Sequence, residues 1–281
     1  MERQEDNELE CMGQGRTAEI YPYADNLLLK LYRPGFSREA VETEFRISQR
    51  VYEKGLPVPR AVQLLEKDSR LGVVFERFEG STLLSLMMQQ PAELEQLSSR
   101  MAGYHYRLHR LQDGSSTMPA QKNMLKHAIQ RVSSFSERER DYLINYLSRL
   151  PEMSYICHGD YHPDNIMLAR DGEQYCIIDW MTGMTGDPAG DVARTWVILM
   201  SGNLPDDEAP AIREAFDRAR SIMLQHYLER YIALSGITRE QIEAWMLPVA
   251  AARLDESLPP SEAAQLLEFV RTRLRPLPES I

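Results

Sequence analysis

The residues best equipped for chemistry crowd into one stretch, 157–168, and its sequel at 177–180. Asp160 is an acid, Asn165 an amide five residues later, and Asp179 a second acid fourteen beyond that. Apolar runs at Ile166–Leu168 and Ile177–Ile178 accompany them, so the polar groups should sit on loops held by buried strands. Phosphoryl-transfer sites are built that way, because their chemistry is mostly positioning and charge neutralisation. His158, Asp160 and His162 at alternating positions, beside Cys157, offer a transition metal as the rival reading. Pro163 and the lack of a second His/Asp cluster leave that shell incomplete. His158 reads more simply as a satisfied core histidine.

Ile166–Ala169 and Gln174–Ile178 read as strands joined across Arg170-Asp171-Gly172-Glu173, a strong hairpin signal. With a two-residue Asp171-Gly172 turn Asn165 faces Ile178, whereas a three-residue loop sets Asn165 opposite Asp179. Either register brings amide and carboxylate together at the open end. A hard cation such as Mg²⁺ takes one or two protein oxygens and completes its octahedron with water and phosphates, so this pair suits it. Asp160, upstream on the same loop, is left to act as a base.

These residues resemble the catalytic loop and metal-binding Asp of the aminoglycoside phosphotransferase and choline kinase-like family, small-molecule kinases with a protein-kinase-like fold. The resemblance implies that Asp160 orients and deprotonates an acceptor hydroxyl, that Asn165 and Asp179 hold Mg²⁺, and that His158 braces the loop. Two departures from protein kinases favour a small-molecule acceptor. Gly159 stands where their catalytic loop carries Arg, and Asp179-Trp180-Met181 replaces Asp-Phe-Gly.

The elements that must position this machinery come from a chain of 281 residues, 43% hydrophobic, long enough for one large domain or two lobes. It has no run of 18 apolar residues, and its charged N-terminus lacks a signal-peptide core, so a cytoplasmic protein without a membrane partner is expected. The net charge of −10 argues against nonspecific nucleic-acid binding. Cys11, Cys157 and Cys176 show no CxxC spacing and are expected to be small buried hydrophobes.

Glu8–Met12, Glu19–Tyr23 and Leu27–Tyr32 read as an antiparallel meander. Gly13 and Gly15 begin a near match to GxGxxG; because Ile20-Tyr21-Pro22-Tyr23 follows instead of a helix, a kinase-type glycine loop is favoured over a dinucleotide fold. Lys30 is the only charge in an apolar strand and needs an anion. An amphipathic helix entered at Ser37 carries Val41, Phe45, Ser48, Val51 and Tyr52 on one face, and Glu44 falls inside that stripe. Glu44 is therefore the carboxylate best placed to meet Lys30, with Glu39 and Glu42 as alternatives. A second hairpin joins Val62–Leu65 to Leu71–Phe75, and by resemblance Glu76 and Phe78 form a hinge whose backbone faces adenine.

Helices dominate afterwards, over 91–111, 121–132, 136–150, 192–200, 206–233, 238–253 with an interruption at Pro248, and 261–275. His105 and His109 lie one turn apart without the Glu of a zinc HExxH motif, so packing histidines are expected. Asp191 is expected to cap its helix and brace the catalytic loop. The resulting expectation is an α+β, two-lobed protein-kinase-like fold with a small β-rich N-lobe carrying one main helix (1–78) and a larger, mostly helical C-lobe (79–281). The expected activity is transfer of the γ-phosphoryl group of ATP, with Mg²⁺, to a hydroxyl of a small molecule. A catalytically weak pseudokinase and a metal-dependent phosphohydrolase are the rivals. Nothing in the sequence selects the acceptor.

Overall fold

The computed structural model describes residues 11–15, 17–115, 117–202 and 209–274. Packing divides them into two units, one made of the residues up to Thr82 together with Asn165–Thr182, the other of Leu83–Asp164 and the residues from Gly183 onward. The segment 165–182 joins the first unit through backbone bonds that sequence distance hides. Ile177 N–H donates to the Pro57 carbonyl at 2.8 Å, and Ser81 and Thr82 pair with Leu168 and Met167.

The first unit is built on a five-stranded antiparallel sheet: β1 (Gly13–Gln14), β2 (Ala18–Ala24), β3 (Leu27–Tyr32), β4 (Ala61–Lys67) and β5 (Arg70–Glu76), in the order β1-β2-β3-β5-β4. Of the strand expected over Glu8–Met12, residues 8–10 lie outside those described, and the described strand pairing starts at Gly13 opposite Ile20. Helix α1 (Arg38–Glu53) is capped by Ser37, whose hydroxyl accepts the Ala40 N–H. It buries Val41, Glu44, Ile47, Ser48 and Val51. Tyr52, expected on that face, is instead exposed, and Ile47 fills the place. The buried arc is centred on Glu44, and Tyr52 falls just outside it.

β6 (Ser81–Thr82), β8 (Ile166–Leu168) and β9 (Tyr175–Ile177) form a small antiparallel sheet in the same unit. β8 and β9 pair Ile166 with Ile177 and Leu168 with Tyr175. This is the register of the two-residue turn: Asn165 lies opposite Ile178, whose N–H donates to the Asn165 carbonyl at 3.0 Å. Gly172 takes the left-handed conformation the turn needs, with φ +73°.

The second unit is helical: α2 (Leu83–Gln89), α3 (Leu94–Leu108), α4 (Gln121–Arg131), α5 (Glu137–Arg149), α6 (Pro188–Ser201), α7 (Pro210–Ser235), α8 (Arg239–Arg253) and α9 (Pro260–Leu274). Two short strands, β7 (Tyr155–Cys157) and β10 (Met184–Gly186), pair antiparallel beside them. Ser136 with Glu139 and Thr238 with Gln241 form reciprocal capping boxes, which explains why α5 and α8 start where they do. Two expectations are corrected. Asp187, not Asp191, caps α6, accepting the Ala189 N–H at 2.9 Å with Pro188 at the first helical position. Pro248 does not interrupt α8 either: it cannot bond the Ala244 carbonyl one turn earlier, and the Tyr146 hydroxyl donates to that carbonyl at 3.0 Å. Cys157 and Cys176 are buried as expected, but Cys11 is exposed.

Candidate active site

In the first unit a lysine brings two carboxylates together. Lys30 Nζ donates to Glu44 Oε1 at 2.7 Å and to Asp179 Oδ1 at 2.8 Å. Three elements supply these groups: β3 gives the lysine, α1 the glutamate, and the residue shortly after β9 the aspartate. Glu44 is only 1% exposed, and the Tyr32 hydroxyl also donates to it. Burial alone would discharge Lys30, but Glu44 and Asp179 outweigh it and raise its pKa. Burial, with Asp179 adding repulsion, raises the pKa of Glu44 against the opposing pull of Lys30 and the Tyr32 hydroxyl. Glu39 and Glu42 play no part in this pairing. The strand period of two puts Tyr32 on the Lys30 face, but the sequence did not show that its hydroxyl would reach Glu44.

Asp179 sits in the left-handed region at φ +65°, a conformation that costs a non-glycine residue about 1–3 kcal/mol and that clusters at functional sites. It turns the carboxylate towards Lys30. Trp180 is buried behind it, its indole N–H donating to the Ile177 carbonyl at 3.1 Å. Asn165 is nearly buried at the open end of the same hairpin, so its amide and the Asp179 carboxylate leave the hairpin at one end. Gly13 pairs within β1, and Gly15 N–H donates to Ala18 O at 2.8 Å, which makes the glycine turn tight. Glu76 ends β5 with its N–H committed to the Arg60 carbonyl at 3.0 Å, and Phe78 follows in the connecting segment.

The second unit holds the turn that carries Asp160. Gly159 is left-handed at φ +78°, which bends the chain so that two successive N–H groups converge. Both meet Asp191: His158 N–H donates to Oδ2 at 2.7 Å and Gly159 N–H to Oδ1 at 2.8 Å. His105 Nε2 and His109 Nε2 reach the same carboxylate at 3.0 and 3.1 Å, while their Nδ1 atoms meet the Tyr227 and Tyr231 hydroxyls at 2.7 and 2.6 Å. With the tyrosine hydroxyls donating to Nδ1, each ring presents its Nε2 proton to Asp191. Burial and the neighbouring His109 lower the His105 pKa to about 3, so His105 is uncharged. Burial of Asp191 works against its charge, yet the hydrogen bonds from both histidines hold its pKa well below the usual carboxylate range. Two histidines and an aspartate converge as metal ligands could, but each ring nitrogen is already matched to a protein partner. The i, i+4 spacing of His105 and His109 showed only that they share a helix face; that Asp191 was their target had no signal in the sequence.

Asp160 itself is a quarter exposed. Its N–H donates to His158 Nδ1 at 3.2 Å, which gives the fully buried His158 the bracing contact expected of it. Its Oδ1 meets Arg194 Nη2 at 3.3 Å and its Oδ2 lies 3.5 Å from His162 Nε2. Burial would raise its pKa, but the bond to His162 and the Arg194 charge reverse the sign and lower it. A separate cavity of about 490 Å³ in this unit is lined by Tyr106, His109, Asp187, Tyr231 and Trp245, among others, and not by Asp160.

The sequence model of the phosphotransferase enzyme family matches residues 21–234, well over half of the chain. The chain belongs to that family. Mouse acyl-CoA dehydrogenase family member 10 is 25% identical over 204 residues, which cover 64% of this phosphotransferase-family chain and 19% of the mouse protein. The chain thus spans about a fifth of that curated relative. Among solved structures, a thermostable mutant of aminoglycoside phosphotransferase APH(4)-Ia, in a ternary complex with ADP and hygromycin B, superposes with a TM-score of 0.61 at 16% identity, covering 98% of this chain and 95% of that one. Choline kinase from Streptococcus pneumoniae gives 0.57 at 13% identity, covering 92% and 91%. Ethanolamine kinase from Plasmodium vivax gives 0.56 at 14%, covering 96% and 83%. At these identities the likeness is one of fold: a β-sheet N-lobe and a mostly helical C-lobe of the protein-kinase-like kind. Among the described residues no helix is long and apolar enough to cross a membrane.

Proposed function

We propose that this family member transfers the γ-phosphoryl group of ATP to a hydroxyl of a small molecule. The observation that carries the reading is Lys30 Nζ held at 2.7 Å from Glu44 and 2.8 Å from Asp179. A largely buried lysine kept charged by a helix carboxylate and by a left-handed aspartate at a hairpin mouth is equipped to meet phosphates. Gly13 and Gly15 would let backbone N–H groups approach them, and the segment around Glu76 and Phe78 would take the adenine.

Asn165 and Asp179 suit Mg²⁺ as a donor set. Both offer hard oxygens, and Asp179 is 39% exposed with only Oδ1 engaged by Lys30. When bound there, the ion would neutralise charge on the phosphates. Asp160 receives the proton of the acceptor hydroxyl. The acceptor oxygen bonds to the γ-phosphorus as the bond from that phosphorus to the β,γ-bridging oxygen breaks, and the electron pair leaves with ADP. No covalent enzyme intermediate is needed. The joint retention of Lys30, Asp160, Asn165 and Asp179 favours turnover over a pseudokinase, and His158, fully buried and bound through Nδ1 by the Asp160 N–H, makes a poor ligand for a metal-dependent phosphohydrolase.

The test is incubation with ATP and Mg²⁺ against a panel that includes hygromycin B, streptomycin, choline and ethanolamine, read by mass spectrometry for one added phosphoryl group. Asp160→Asn should lower kcat on any panel acceptor by at least ~10²-fold while ATP·Mg²⁺ affinity by calorimetry stays within about threefold. Near-normal kcat in that variant would remove Asp160 from the mechanism.

A further inference from the structure

Helix α6 grips the Asp160 turn with more than Asp191. One helical turn beyond Asp191, Arg194 Nε donates to the Gly159 carbonyl at 2.9 Å, and Thr195 donates to the Tyr161 carbonyl at 2.8 Å. Residues i, i+3 and i+4 of a helix share a face, so one face of α6 accepts the N–H groups of 158 and 159 and donates to the carbonyls of 159 and 161. The turn is held through both polarities of its backbone.

Arg194 does one thing more. Its Nη2 meets Asp160 Oδ1 at 3.3 Å and its Nη1 meets Glu256 Oε1 at 2.7 Å, so a single guanidinium is divided between two carboxylates. Glu256 is in turn bound through Oε2 to Arg253 Nη1 at 3.0 Å, and Arg253 Nη2 to Glu262 Oε1 at 2.6 Å, where the Ser201 hydroxyl also donates. A chain of alternating charge therefore runs from Asp160 through Arg194, Glu256 and Arg253 to Glu262 at the start of α9. Arg194 is 13% exposed and Arg253 and Glu262 are nearly buried, so these pairs are poorly screened.

We infer that Arg194 is a positioning residue for Asp160: it holds the carboxylate through Oδ1 while His162 approaches Oδ2, and is itself anchored by Glu256. This rests on the reading of Asp160 as the group that takes the acceptor proton. Without the guanidinium the carboxylate would lose its Oδ1 anchor, and part of the advantage of a placed base would be lost. The charged and titratable groups facing Asp160 are Arg194 from α6 and His162 and His158 from its own loop. Arg194 also favours the ionised form. The sign follows: a carboxyl held low in pKa is active above that value, so removing Arg194 moves the acid limb to higher pH. Neutralising Glu256 returns the whole guanidinium to Asp160 and moves the limb lower. A merely structural arginine would produce neither movement.

Two readouts on the full-length chain separate this inference from the reading beneath it. The first is carbon-13 NMR titration of the aspartate carboxyls, with the Asp160 resonance assigned by its loss in Asp160→Asn. Arg194→Met should raise the Asp160 midpoint by about one pH unit or more, and Glu256→Gln should lower it. The second is kcat with the panel acceptor that turns over: Arg194→Met should lose about tenfold or more with ATP·Mg²⁺ affinity within threefold, and Arg194→Lys should recover part of the loss. Wild-type midpoint and kcat in Arg194→Met would overturn the inference while leaving Asp160→Asn to judge the base. If Arg194→Met does not fold, Glu256→Gln decides: an unmoved Asp160 midpoint overturns the inference. A normal kcat in Asp160→Asn would sink both ideas, whatever the titration shows.

Discussion

Each unit buries one carboxylate against a residue given a role above, Glu44 against Lys30 and Asp191 against the Asp160 turn, and the two are satisfied in opposite ways. Glu44 is met by a cation, Lys30, and by the Tyr32 hydroxyl. Asp191 is met by two backbone N–H groups and the Nε2 atoms of two histidines, one of them held neutral by burial. An ion pair can be shared with an arriving anion, because Lys30 already divides itself between Glu44 and Asp179. Hydrogen bonds to backbone cannot be lent out without moving the chain. The first carboxylate therefore tunes a charge, and the second fixes a shape.

The sharpest way to break this contrast is Asp191→Ala. It orphans two buried N–H groups and two histidine N–H groups at once, so stability should fall by ~3 kcal/mol or more, read by urea denaturation, with kcat collapsing alongside. A loss below about 1 kcal/mol would mean that Asp191 is not the hub of the network. Lys30→Met should behave in the other way. Glu44 is already raised in pKa and can take a proton in place of its partner, so the variant should fold with a stability loss of roughly 1–2 kcal/mol. Its kcat/KM for ATP should nonetheless fall by about 10²-fold or more. Stability loss equal to that of Asp191→Ala would erase the distinction between tuning and fixing. The smallest effect belongs to Tyr227→Phe, which deletes one hydroxyl donor to His105 Nδ1. About 1 kcal/mol is expected in the same denaturation measurement, with kcat nearly unchanged because His105 keeps its bond to Asp191.

How much of this was legible beforehand depends on the range of the interaction. The β8–β9 hairpin was readable to within one residue of its register: Asp171-Gly172 marked the turn, but a two-residue and a three-residue loop both stayed open, and the pairing of Ile166 with Ile177 chose the first. The start of α1 was readable in Ser37, because a cap is a contact over three residues, and the helix ranges read at 136 and 238 begin at the residues that cap α5 and α8. Lys30 and Glu44 were readable as partners from a different logic: each is the lone charge in an apolar periodic pattern, and an unpaired buried charge is too costly to leave.

The sequence by itself determined the local order of strands and helices, the hairpin that carries Asn165 and Asp179, and Glu44 as the carboxylate best placed to meet Lys30. It also carried the family resemblance of the 157–191 stretch, because those signals lie within a turn, a period or a motif. Tertiary structure alone decided which groups Asp191 and Arg194 would hold. His105, His109, Tyr227 and Tyr231 are separated by 82 to 122 residues from their partners, and Arg194 by 34 from Asp160. It likewise decided that Asp187 caps α6, and that α8 runs through Pro248 because Tyr146, far back on α5, supplies the donor its carbonyl had lost. Helix periodicity tells which residues share a face but not what that face meets. That is fixed only when the helices pack and each buried polar atom must find a partner.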